Sequence, residues 1–500
     1  MTYRLEAFAE VGLDEALLRL VIDEHRRQLP RLHKLWAYYR NPLQPVGMAG
    51  RQGHWYRQGQ ECGLPARLTG RAGTTSPLTD DRAANRREVV IENDIAWRVQ
   101  AMVDFMFGKP VSMVSTAADE AKRREIERVL DRVWENSGGI ALLQDAALLG
   151  HVFGHVDLIV RVDEAGLRLA ATQNRPAADS HPEDFIRIEV VEPRRGIAIL
   201  DEHDYRNINA YAINYDRELN APQRPSFVER LMRLRSPDSQ DRERVEVTEI
   251  ISPTAWQVYE NGALVWEQAA PGVLTGGRIP VVHIQNISQP FEYEGIGEVE
   301  PLIPLQDELN TRLSDRACRV TLQSFKMYLG KGIDGFEKMP IGPGQLISTD
   351  NPDATIEAFG GDAASPSEDA HIQQVRDALD KVSGIPPLAS GVIQAKIGNL
   401  SSANALRITL MGVLSKTARK RVTYGAGIAR VCWLILAILD NAGILATTEN
   451  DRGVRLTWPD PLPEDTREQA MAAEVKTKLG VPPERVLAEL GYAPTDPGIS

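Results

Sequence analysis

Cysteine is scarce: three in 500 residues, Cys62, Cys318 and Cys432, far apart and in no CxxC or Cys/His pattern. That excludes a disulfide framework and a zinc ribbon, and it leads us to expect a reduced, intracellular setting. Catalytic signatures are also lacking. There is no GxxxxGK[ST] phosphate loop, no HExxH and no GxSxG. Gly330-Lys331-Gly332-Ile333-Asp334-Gly335 matches GxGxxG in letters, but Phe336 to Pro340 follows where a dinucleotide site needs an opening helix. His151 and His155 are four apart, which is ligand spacing on a helix, but the run His151 to Val162 reads as a strand. We expect no enzyme activity, no cofactor and no metal.

A basic excess is missing as well. The net charge is -12 and the pI near 5.4. A protein that grips DNA statically usually carries the opposite sign, so any contact with nucleic acid must be local or weak. Met1 to Glu6 has no apolar core of a signal peptide, so no secretory signal is expected. The most apolar run, Val431 to Leu439, is short of the ~20 residues a membrane span takes and reads as a buried helix turn.

What is present is ordinary globular composition, 43% hydrophobic and 25% charged, in a chain long enough for two to four domains. Helical periodicity runs over Leu13 to Leu35, ending near Pro30 or continuing to Tyr39. Arg51 to Thr79 is rich in Gly, Arg, Thr and Pro and reads as a loop or arm. Helices are predicted over Arg86 to Met106, Asp119 to Asn136 and Ile140 to Leu149. The strands Phe185-Val191, Ile197-Leu200, Asn209-Tyr215, Arg244-Ile251, Ala255-Tyr259 and Ala263-Gln268 follow, the last two joined by the hairpin signal Asn261-Gly262. The fold class is α+β.

The second half has a distinct order of parts. Ile279 to Ile284 is a strand, and Glu298 opens a helix whose regular part is Pro304 to Ser324. Its apolar stripe is Leu302, Leu305, Leu309, Leu313, Ala317 and Val320, flanked by the i,i+4 pairs Glu308/Arg312 and Asp315/Arg319. A narrow stripe between charges suits packing against copies of itself. A strand-rich insert follows, with strands at Phe325-Leu329, Gln345-Ser348 and Thr355-Phe359. Ser365-Pro366-Ser367-Glu368 starts a helix to Ser383. Leu388 to Asn399 is a Gly-punctuated loop, and Ser401 caps one long helix to Leu439. A short strand at Arg455-Trp458 and a small helical unit over Glu464-Leu479 and Glu484-Leu490 end the chain.

These parts resemble the portal proteins of tailed bacteriophages, over nearly the whole chain. The residues that carry the resemblance are Glu92-Asn93-Asp94 with Phe107-Gly108-Lys109-Pro110; Arg278-Ile279-Pro280-Val281-Val282; Gly295-Ile296-Gly297-Glu298-Val299-Glu300; Leu305 to Asn310; Ser383-Gly384-Ile385-Pro386; Asn399 to Leu406; and Leu456 to Pro463. No one motif is specific; order and spacing carry the weight.

The resemblance implies a wing over residues 1-297, stem helices at 298-324 and 366-384, a clip at 325-365 and a tunnel loop at 385-400. A long helix of the wing or crown at 401-442 and a C-terminal crown at 443-500 complete it. It also implies a homo-oligomeric ring, a dodecamer, at one capsid vertex of a virion assembled in the host cytoplasm. Double-stranded DNA would pass through the ring without sequence-specific contact. Large terminase, the major capsid protein and scaffold, and a head-completion or adaptor protein would be partners, with no membrane involved.

On this footing Gln394, Lys396 and Asn399 are tunnel-loop candidates for DNA contact. Glu308, Arg312, Asp315, Arg316 and Arg319 are candidates to line the channel, a mixed-charge wall along which DNA slides. Lys331, Lys338 and Gln345 are clip candidates for partner binding. Lys416, Arg419, Lys420 and Arg421 are intersubunit candidates. The rival expectations are a nucleic-acid-processing enzyme with a pocket in the strand-rich centre, and a ring-forming capsid or tail adaptor.

Overall fold

The structure is a computed structural model, described here for residues 3-46, 55-69, 88-172, 181-218, 244-269, 275-324, 327-331, 351-359, 365-391, 403-462, 466-480 and 486. In chain order its helices are α1 (Glu15–Arg40), α2 (Ala66–Thr69), α3 (Asp94–Phe107), α4 (Glu120–Asn136), α5 (Gly139–Phe153) and α6 (Glu164–Thr172). Then come α7 (Ile303–Ser324), α8 (Pro366–Ser383), α9 (Ala403–Thr409), α10 (Met411–Asn441) and α11 (Thr466–Lys478). The strands are β1 (Leu43–Val46), β2 (Trp55–Gln58), β3 (Ser112–Ser115), β4 (His155–Val162), β5 (Ile186–Val191), β6 (Gly196–Leu200) and β7 (Ile208–Glu218). They continue with β8 (Arg244–Ile251), β9 (Ala255–Glu260), β10 (Ala263–Ala269), β11 (Val281–Gln285), β12 (Met327–Lys331), β13 (Thr355–Phe359) and β14 (Val454–Thr457). The class is α+β.

Two compact units divide the chain: residues 1-36, 97-300 and 384-500 form the first, and residues 37-96 and 301-383 the second. In the first unit the strands β10-β9-β8-β7-β6 make an antiparallel meander, and β11-β4-β5 a smaller sheet. Asn261 and Gly262 both take positive φ, 47° and 77°, the turn that Asn-Gly favours between twisted strands. Leu18 and Ile22 of α1, with Phe8 before it, cover one face of the meander at Ile197, Ala210, Ile250 and Tyr259. Alternation along the strands puts Tyr211, Ile213, Ile251 and Trp256 on the other face, packed with Ile159 and Val281 of the smaller sheet.

The main core of the unit surrounds the C-terminal half of α10. Ile428, Val431, Cys432 and Leu434 to Leu436 are buried against α4, α5, β4 and β11. Gly427 permits this contact, because a Cβ there would meet Ile284 Cγ1 at 2.4 Å. The apolar stretch is longer than Val431 to Leu439 alone: an 18-residue window of α10 reaches a mean hydropathy of 1.8, enough by length and composition for a membrane span. Since 61% of that window is buried inside the protein, it is a core helix.

In the second unit α7 and α8 pack antiparallel, with Leu309, Leu313, Ile372, Val375 and Leu379 buried. β12 and β13 pair between them, Met327 opposite Phe359 and Lys331 opposite Thr355. The predicted strand at 345-348 lies outside the described residues, as do Glu484-Leu490 apart from Val486.

Of the two expected ends of α1 the later one holds: the helix continues through Pro30 to Arg40. Other expectations are corrected. The helix expected from Arg86 starts at Asp94, and residues 88-93 have no regular structure; Val90, Glu92 and Asp94 give their backbone N–H groups to Ser314, Asn310 and Gln306 of α7. His151 lies on α5, which runs four residues past Leu149, and the strand begins at His155. Glu298 does not open a helix; a 3-10 turn starts at Glu300 and α7 at Ile303. The long helix is interrupted at Leu410. Residues 37-96 cluster with 301-383.

Candidate stem wall and a buried clamp

The five candidate wall residues of α7 lie close together, but their charges are spoken for within the unit. Arg312 donates to Glu308 Oε1 at 2.7 Å, and Glu308 also meets His371 Nε2 of α8 at 3.0 Å. Arg316 donates to Asp369 at 3.0 Å, and Arg319 pairs with Glu368, so antiparallel α7 and α8 are joined by three side-chain contacts. Asp315 accepts from Arg67 at 2.9 Å. The Arg312 guanidinium, with His371 adding to it, holds the Glu308 carboxyl below its ordinary range. The ion-paired groups range from 17% exposed at Glu368 to 60% at Asp369, so they form a surface ladder of neutralised pairs. The apolar stripe is not left for neighbouring copies either: Leu302, Leu309 and Leu313 are buried in this chain, and only Val320, 43% exposed, stays open.

A second layer holds α7 to the 37-96 segment, and sequence reading did not find it. Gln60, Gln306 and Asn310 are fully buried. Asn310 Nδ2 donates to Gln60 Oε1 at 2.9 Å, Gln60 Nε2 to Asn93 Oδ1 at 2.7 Å, and Gln306 Nε2 to Asn310 Oδ1 at 3.0 Å. Tyr38 donates to Asp307 at 2.6 Å. The only available signal was that Gln306 and Asn310 lie four apart beside the apolar stripe.

The basic run of α10 is not one surface. Lys420 is fully buried and donates to Glu298 Oε1 at 2.5 Å, and Lys416 pairs with Glu298 Oε2. Arg421 gives hydrogen bonds to the carbonyls of Phe105 and Pro459 and lies over the Trp458 ring. An intersubunit role for Lys420 is therefore corrected: its charge is consumed inside its own chain. Arg419 alone of the four is exposed.

Burial by itself would raise the Glu298 carboxyl, but Lys420 and Lys416 overcome it and hold it at about 2. Burial draws Lys420 down to about 8 against the pull of Glu298. His151, fully buried next to this cluster with both ring nitrogens lacking a hydrogen bond, is pushed well down by burial and then by Lys420. Glu298 reaches this position because the backbone closes tightly before it. Gly154, at φ 97°, faces Gly295 O, where a Cβ would stand 2.2 Å away, and Glu298 N donates to His151 O at 2.7 Å. The clamp thus joins the segment that leads towards α7 to the long helix.

Another buried cluster sits in the smaller sheet. Asp157 accepts from Tyr211 at 2.7 Å and Tyr293 at 2.9 Å, and faces His283 Nδ1 at 2.7 Å. Burial would raise its carboxyl, but these partners, His283 foremost, hold it low. His283 Nε2 meets the Tyr293 carbonyl at 2.7 Å, so every group in the cluster is engaged. Among the described residues, no group of three or more His, Cys, Asp or Glu is arranged to hold a metal ion.

Gln394, Lys396, Asn399, Lys338 and Gln345 lie outside the described residues, and Lys331 is exposed at the end of β12.

With this arrangement in view, the sequence matches the family described as "Phage portal protein, SPP1 Gp6-like" over residues 18–491. The chain belongs to the phage portal protein family. No curated protein matches its sequence. Solved structures similar to it include the neck of an empty gene transfer agent particle, at 13% identity and a TM-score of 0.45, covering 86% of this chain and 99% of that one. A virion of the native gene transfer agent particle gives 12% identity and a TM-score of 0.41, covering 92% and 99%. Membership assigns the chain to a structural family of phage-type portals or connectors.

Proposed function

We propose that the chain forms a dodecameric ring at one vertex of a capsid and serves there as the conduit for double-stranded DNA during packaging and ejection. The observation that carries this reading is the family match across residues 18–491. The α7–α8 hairpin supports it physically. Its arginines are paired with carboxylates, and a wall of paired charges offers phosphates few free cations. Each additional free cation would add salt-dependent affinity and slow DNA. Lys396 of the tunnel loop, with Gln394 and Asn399 beside it, makes the transient phosphate contact. The clip, with Lys331, Lys338 and Gln345, meets the large terminase during packaging and a head-completion or adaptor protein afterwards. The major capsid protein and scaffold hold the ring in the shell.

The test is negative-stain imaging of the purified protein together with its mass in solution. A ring with a central hole and a mass near twelve copies of the 55.4 kDa chain is expected. A uniform monomer with binding confined to one pocket would count against it. In a packaging assay, Lys396→Glu should change DNA uptake or retention while rings still form; unchanged packaging would remove Lys396 from the mechanism.

A further inference from the structure

The long helix presents two opposite faces. Val413, Thr417, Lys420, Tyr424 and Ile428 point into the protein. Away from them, Ile408, Met411 and Val422 are exposed by 73%, 67% and 71%. Ser415 and Ala418, small and exposed, stand between them. The positions 408, 411, 415, 418 and 422 are separated by three, four, three and four residues, the seam spacing of paired helices. The interruption at Leu410 falls between Ile408 and Met411, where Leu410 N donates to Leu406 O at the end of α9 and Leu414 N to Leu410 O at the start of α10. At ~1.5 Å per residue the seam is about 21 Å long. Isolated exposed apolar residues need no explanation; a seam in register does.

The same chain carries a second open stripe of helical period. On α11, Met471, Val475 and Leu479 are exposed by 53%, 55% and 78% at i, i+4 and i+8. This stripe spans about 12 Å at the same rise per residue and fits within the seam. One charge pair fits the docking, with Lys476 and Lys478 also standing beside the α11 stripe. Arg419, beside the seam, is exposed and has no partner among the described residues. Among the described residues Glu474, beside Val475, has a surface pair with Lys478, an interaction of little strength that is readily exchanged.

We propose that α11 of a second copy of this chain docks into the seam of α9 and α10. Both stripes are exposed in one chain, so neither covers the other there. A head-to-tail ring contact needs two such different faces, one to give and one to receive. The inference rests on the ring reading above. It moves the subunit contact from the basic run to the apolar face of the same helix, keeping Arg419 alone of the four cations.

The experiment uses the full chain. Met411→Asp with Val422→Glu should shift the assembly midpoint at least tenfold to higher concentration by mass photometry, with the thermal melt unchanged because both side chains are exposed. Arg419→Glu should weaken assembly, and Glu474→Lys should restore it. Separately, in a Cys62→Ser/Cys318→Ser background, chains with Met411→Cys are mixed with chains with Val475→Cys and oxidised. A cross-linked band at twice the 55.4 kDa chain mass is expected. Rings from the double variant indistinguishable from wild type would overturn the proposal. So would a chain carrying both cysteines that links only to itself, since α11 would then cover its own seam. Wild-type protein that forms no ring overturns the ring reading, while the interchain cross-link still decides the docking.

Discussion

Glu298 and Lys420 set the largest single-residue effects. Both are enclosed, and removing one partner strands the other's charge away from water. Glu298→Gln should therefore cost about 3–5 kcal/mol in chemical denaturation, whereas Glu298→Leu with Lys420→Met should recover most of it. The pH dependence follows from the same site. The folded Glu298 carboxyl lies at about 2, below its ordinary 4.5, so its contribution is present above pH 4.5 and is lost as pH falls from there towards 2. His155 titrates near 4 instead of 6.5, and burial is the main cause. The unfolded chain takes that proton first, so stability also declines as pH falls from 6.5 towards 4. His151 acts in the same direction. His151→Leu removes two buried nitrogens without hydrogen bonds, so it should raise stability by about 1 kcal/mol and flatten the decline below pH 6.5, read by melts across pH. An unchanged pH profile would show that His151 has a partner in solution.

Among the elements, close approach and amide pairing decide more than charge. Gly427 lets α10 lie on β11, and Gly427→Ala should cost about 1–3 kcal/mol because Ile284 has to move. Asn310→Leu leaves Gln60 and Gln306 each short of a buried partner and should cost about 2–4 kcal/mol. The charged ladder of α7 and α8 should matter far less. Arg316→Ala removes a contact between groups 42% and 60% exposed, and a change within about 1 kcal/mol is expected. A loss as large as that of Asn310→Leu would mean that the ladder, and not the amide layer, fixes the α7–α8 hairpin.

At the scale of the whole molecule, the proposed function belongs to an assembly of copies. The described residues carry paired charges between α7 and α8 and exposed apolar side chains on the long helix. Rings should survive moderate salt, because a docking seam of Ile408, Met411 and Val422 depends on apolar burial, which salt does not screen. Ring mass measured between 0.1 and 0.5 M sodium chloride checks this. Dissociation in that range would assign the contact to exposed ion pairs instead.

The sequence by itself determined the α+β class, the meander with its Asn261-Gly262 turn, the helix–insert–helix order and the family likeness, because periodicity and turn chemistry are local. Element ends were less legible. Pro30 read as a possible stop and Glu298 as a helix start, since one residue's propensity says nothing about what packs against it. Only the tertiary structure decided which charges are used up. Lys416, Arg419, Lys420 and Arg421 look alike in a string, yet Glu298, over a hundred residues away, takes two of them, backbone carbonyls take a third, and only Arg419 stays open. The fate of an ionisable group depends on burial and on partners distant in the chain, and neither is encoded by its neighbours in sequence.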